Sequence, residues 1–96
     1  MKWRILLEKN KIGVVGLARR AGKAILGYDQ ICKNQNKCVL LLLASDASAR
    51  TQKNIDNLGL RIINTGLTKS ELGTAVGIGE AAVIGITDEN FAKMFI

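Results

Sequence analysis

The run Cys38-Val39-Leu40-Leu41-Leu42-Leu43-Ala44 decides the fold. An unbroken apolar stretch of this length, closed by Lys37 on one side and Ser45 on the other, reads as a strand buried on both faces and hence as the centre of a sheet. A sheet covered on both sides needs helices above and below it. The segments on either side of the run supply them.

Upstream, Gly27 opens a helix over about Tyr28–Gln35 that turns Ile31 inward and ends at Asn34 to Asn36. Lys23–Leu26 is a short strand before it. A further helix over Lys11–Ala21 is capped by Asn10, carries Val14, Leu17, Ala18 and Ala21 at three- and four-residue spacing, and is stopped by Gly22. Gly13 and Gly16 weaken that helix by about 1 kcal/mol each relative to Ala, so close packing against a neighbour is the reason to expect them there. Met1 to Lys9 mixes Trp3, Ile5, Leu6 and Leu7 with charges and reads as a helical turn or an irregular arm.

Downstream, Asp46 and Ser48 offer caps for a helix over Ala49–Leu58 that Gly59 stops. Arg61–Asn64 is a short strand. Thr68-Lys69-Ser70-Glu71 has the S/T-x-x-E form of a capping box, so a helix runs from about Lys69 to Val76 and ends at Gly77. Ala81–Ile86 is another apolar strand, and Thr87 or Asp88 caps a last helix through Phe91, Ala92 and Phe95. Strands alternating with helices over 96 residues, with no Pro/Ser-rich linker or repeat, give one α/β domain spanning 1–96. Its expected form is a three-layer α/β/α sandwich with a mixed four-stranded sheet.

Charge and composition narrow the function. The net charge is +6, and residues 1–37 carry nine Lys and Arg against Glu8 and Asp29, whereas residues 38–96 carry five against six acids. Such regional positive charge suits a polyanion, and the lack of a long basic amphipathic face with bulky aromatics favours nucleic acid over a membrane surface. No run of about 18 apolar residues and no cleavable leader pattern is present, so a soluble, cytoplasmic protein is expected. Cys32 and Cys38 form neither a disulfide framework nor a zinc set, and there is no His to act as base or ligand.

The motifs that suggest catalysis fail on spacing or order. Gly16 to Gly22-Lys23 has five residues between its glycines, Ala24 where magnesium would need a hydroxyl, and the order helix then strand. Gly77-Ile78-Gly79-Glu80-Ala81-Ala82 likewise follows a helix and precedes a strand, opposite to a dinucleotide cradle. Helix caps account for Asp46 and Asp88, and Ser45 and Ser48 have no base. The reading is therefore not an enzyme, with no catalytic residue, metal, cofactor or small-molecule substrate. The stretch Arg19 to Lys33 meets the needs of binding better. Gly27 permits close approach, the next helix start offers N–H groups, and Gln30 and Lys33 share a helix face.

Five ordered pieces carry a resemblance: Gly16-Leu17-Ala18-Arg19-Arg20-Ala21-Gly22-Lys23, Gly27-Tyr28-Asp29-Gln30-Ile31-Cys32-Lys33, Leu43-Ala44-Ser45-Asp46-Ala47-Ser48-Ala49-Arg50-Thr51, Glu71-Leu72-Gly73-Thr74-Ala75-Val76-Gly77, and Ile86-Thr87-Asp88-Glu89-Asn90-Phe91-Ala92. From Val15 onward the chain resembles the kink-turn RNA-binding ribosomal proteins of the L-seven-Ae and L-thirty-e type, above all their bacterial YlxQ-type members. The resemblance implies an α/β/α sandwich that binds RNA. In that family a G-x-N-E-x-x-K motif at the second helix meets the sheared G·A pairs of a kink-turn, and the loop before the last strand packs an apolar side chain on bulged nucleotides. Gly27 and Lys33 match the motif, Asp29 stands at the Asn position, Gln30 at the Glu position, and Ile78 matches the apolar contact. Glu80 lies where several members have a basic residue. The implied RNA-binding set is Lys23, Gly27, Tyr28, Asp29, Gln30, Lys33, Lys37, Ile78, Gly79 and Glu80, with Arg19 and Arg20 adding phosphate attraction. RNA, ribosomal or otherwise structured, and the ribosome are the expected partners. An interaction module that kept the fold and lost kink-turn recognition is the alternative, suggested by Asp29 and Glu80.

Overall fold

The structure, a computed structural model, describes residues 9–95. In chain order the elements are α1 (Lys9–Arg20), β1 (Ala24–Leu26), α2 (Tyr28–Lys33), β2 (Leu40–Leu43), α3 (Ala49–Asp56), β3 (Ile62–Asn64), α4 (Lys69–Ala75), β4 (Val83–Ile86) and α5 (Glu89–Lys93). Most of the helical turn or arm expected over Met1 to Lys9 lies outside the described residues. Lys9 itself opens α1, which starts two residues before the sequence suggested, so Asn10 sits within the helix and does not cap it.

The sheet is mixed, in the order β1-β4-β2-β3. β2 and β3 run parallel, and β4 is antiparallel to both β1 and β2. The apolar run thus forms a central strand, shortened to Leu40–Leu43. All four leucines of β2 and all four residues of β4 are buried, which needs cover on both faces of the sheet. One cover is α2: a Cβ on Gly85 of β4 would lie 2.9 Å from Cys38 Sγ and 3.2 Å from Ile31 Cγ1, so Gly85 faces that helix. By strand alternation Ile84 and Ile86, both fully buried, face the other layer. The expected three-layer α/β/α arrangement is present.

Local chemistry sets the ends of the helices. Ser48 Oγ accepts from Thr51 N at 3.1 Å and caps α3. Asp46 does not share that task, contrary to the expectation for it; its carboxylate reaches across to accept from Lys69 N at 2.7 Å, at the start of α4. The capping box on α4 is complete, with Glu71 N donating to Thr68 Oγ1 at 3.1 Å and Thr68 N to Glu71 Oε1 at 2.9 Å. Asp88, not Thr87, caps α5 by accepting from Asn90 N and Phe91 N. The sheet therefore has two distinct ends. β1, β2 and β3 all finish at the end where α2, α3 and α4 begin and where β4 starts, here called the corner end.

Candidate nucleic-acid interface

Gly27 turns the chain from β1 into α2 with φ 89° and ψ 142°, a region that only glycine occupies readily, and no side chain caps the helix. The first N–H groups of α2 therefore open toward the corner. Tyr28 begins α2 half-buried, and Asp29, Gln30 and Lys33 are exposed on its outer side. The Tyr28 hydroxyl is pushed above the ordinary tyrosine value, first by its hydrogen bond with the Cys32 side chain, then by desolvation and by the charges of Cys32 and Asp29. It stays protonated at neutral pH.

The second half of the corner comes from the loop between α4 and β4. Gly77, at φ 81°, turns the chain out of α4, Ile78 N donates to Gly73 O at 2.9 Å, and Ala81 N donates to Lys69 O at 3.0 Å. A Cβ on Gly73 would lie 2.6 Å from Glu80 Cα, so the loop is seated directly on the helix backbone. Arg19, expected as a phosphate contact, instead donates from Nη1 to Val76 O at 2.7 Å and ties α1 to the last turn of α4. Gly16 does the same by contact, since a Cβ there would meet Ala75 O at 2.8 Å, whereas a Cβ on Gly13 would meet nothing within 4 Å among the described residues. Close packing explains Gly16.

These two pieces, some fifty residues apart in sequence, line one depression of about 280 Å³. Leu26, Gly27 and Tyr28 form one wall, Ile78, Glu80 and Ala81 to Val83 another, and Thr51 closes the side. Gly79 and Glu80 stand exposed at its rim, and Ile78 is half-buried. Thr51 is the member that sequence reasoning left out of the site. The signal was the spacing Ser48-x-x-Thr51, because the capping bond fixes Thr51 at the first turn of a helix that starts beside Gly27.

Lys23 and Lys37 are not brought to the depression. Lys23 precedes β1, its carbonyl accepting from Thr87 N, and Lys37 precedes β2, so both lie at the opposite end of the sheet. Lys23 Nζ is also 3.9 Å from Asp88 Oδ2. Among the described residues no group of three or more His, Cys, Asp or Glu is placed to hold a metal, and no helix is long and apolar enough to cross a membrane.

An apolar floor, a glycine-opened helix start and a pinned loop thus meet at one corner of a small α/β/α domain. No protein-family model matches the chain. It is 32% identical over 88 residues to the RNA-binding protein YlxQ of Bacillus subtilis strain 168, covering 86% of this chain and 88% of that protein. A solved structure of a protein of unknown function from Bacillus halodurans superposes with a TM-score of 0.79 at 30% identity, over 91% of this chain and 94% of the other. The Giardia lamblia 15.5 kD RNA-binding protein shares the fold, with a TM-score of 0.68 at 16% identity over 99% and 94%. The chain belongs to the YlxQ family.

Proposed function

We propose that this protein is a cytoplasmic, ribosome- or ribonucleoprotein-associated RNA-binding domain spanning residues 1–96. It recognises a kink-turn or a related bulged element through the start of α2 and the loop before β4. The observation that carries the reading is the convergence of Gly27 and Tyr28 with Ile78 and Glu80 on one depression. YlxQ of Bacillus subtilis, a relative over most of the chain, is named as an RNA-binding protein. RNA specificity resides in bulged and noncanonically paired nucleotides, because the A-form major groove is too deep and narrow to read. In this reading Gln30 and the Gly27 backbone meet base edges, Ile78 supports an unstacked base, and Lys33 meets a phosphate.

Asp29, exposed on α2 next to Tyr28, and Glu80, exposed in the lining of the depression, favour a second reading in which the fold is kept as an interaction module without kink-turn recognition. One experiment separates the two. Binding of a kink-turn RNA and of the same RNA with its G·A pairs replaced is measured for the native chain and for Asp29→Asn with Gln30→Glu. The double variant removes one carboxylate beside the phosphates and restores a strong acceptor for guanine, so it should bind the intact kink-turn several-fold more tightly. Equal affinity for both RNAs in both proteins would leave the interaction module as the better account.

A further inference from the structure

The corner end and the opposite end of the sheet carry opposite charge. Around the corner stand Asp29, Asp46, Glu71 and Glu80 against Arg50, Lys69 and Arg19, whose guanidinium is bound at Val76 O. At the far end, where α1 finishes and where β1, β2 and β3 begin, stand Arg20, Lys23, Lys37 and Arg61, every one of them exposed. Three acids share that end. Asp88 already accepts from two backbone N–H groups of α5, and Asp56 and Glu89 sit at a helix end and a helix start.

Sheet order sets the spread of these cations. Lys23 leads into β1 at one edge, Lys37 leads into β2, and Arg61, whose carbonyl accepts from Leu41 N, leads into β3 at the other edge. The row therefore crosses the sheet over three strand spacings, roughly 14 Å. Such a row of long cations, of which Lys23 also lies 3.9 Å from Asp88 Oδ2, suits a phosphate backbone, whose contacts position an RNA without reading its bases. It also resolves a physical difficulty of the corner, where Asp29 and Glu80 repel the polyanion that the site is to read. Attraction at longer range must come from somewhere else on the surface.

We propose that the far end is a second, sequence-independent RNA surface that docks the backbone of a paired arm, so that the protein holds two RNA segments at opposite ends of one sheet. This rests on RNA being the partner of the corner, as proposed above. The test uses a fully paired RNA duplex without a kink, titrated at several salt concentrations. The native chain should bind it, and Lys37→Glu with Arg61→Glu should weaken binding at least about tenfold and lower the salt slope by about two units. Arg50→Glu with Lys69→Glu has the same net charge and alters the corner end; it should leave duplex affinity within about twofold, as should Gln30→Ala. No duplex binding by the native chain, or equal losses in the two charge-reversed proteins, would overturn the proposal. Kink-turn binding that ignores Gln30→Ala while the duplex results hold would instead overturn the reading of the corner and spare the far end.

Discussion

The two walls of the depression are built on glycines that serve opposite needs. Gly73 has no room: a Cβ would come within 2.6 to 2.9 Å of three Glu80 backbone atoms. A Cβ on Gly27 would meet nothing within 4 Å among the described residues, so glycine is required there for its dihedral angles. The wall at α4 is consequently fixed from several directions, by a full capping box, by Asp46 at Lys69 N and by Arg19 at Val76 O. The wall at α2 is a six-residue helix with no side-chain cap. One side of the site is therefore tied down by side-chain bonds at both ends of α4, and the other rests on the backbone turn at Gly27 and on the burial of Ile31.

Three substitutions break or sharpen that contrast. Gly73→Ala should do the greatest damage, about 3 kcal/mol, because backbone and not a movable side chain must give way; the melting temperature would fall by roughly 10 °C or more. An unchanged melting temperature would mean that the loop is not seated on α4. Gly27→Ala should cost less, about 2 kcal/mol, all of it conformational strain, and crowds nothing. Chemical denaturation would detect it, and a loss as large as that for Gly73→Ala would show that the α2 wall is packed as tightly as the other. Thr68→Ala removes one half of the capping box and should cost about 1 kcal/mol. Its hydrogen-exchange signature should be faster exchange of the first-turn amides of α4 with α2 unaffected, and a change at α2 would join the two walls into one cooperative unit.

Much of this could be read before any coordinates. The leucine run, the capping box at Thr68 and Glu71, and the glycine stops are local signals, and each produced an element close to where it was expected. The strand lengths were overestimated at their ends, where Cys38, Val39 and Ala44 join turns and loops. What could not be read was non-local. Asp46 lies two residues from Ser48 and looks like a cap for the same helix, yet its partner is 23 residues away. Lys23 and Lys37 flank Gly27 in sequence, but β1 and α2 carry the chain up the sheet and back, placing both at the far end. Arg19 is exposed as a surface cation should be, but nothing in its neighbourhood announces that it is tied to the Val76 carbonyl 57 residues on. Positive charge counted along the chain therefore gave the right total and a misleading address.

The order β1-β4-β2-β3 also fixes a sequence of events in time. β4 is the last strand of the described chain, and it alone bridges β1 to β2, pairing Ala24 with Ile86 and Leu43 with Val83. During synthesis the first strand has no partner until some sixty residues later, when the closing strand emerges and draws both edges together. Gly27 and Ile78 meet only at that moment. A truncated chain lacking β4 would thus carry every residue of the α2 wall without the strand that joins β1 to β2 and follows the loop holding Ile78.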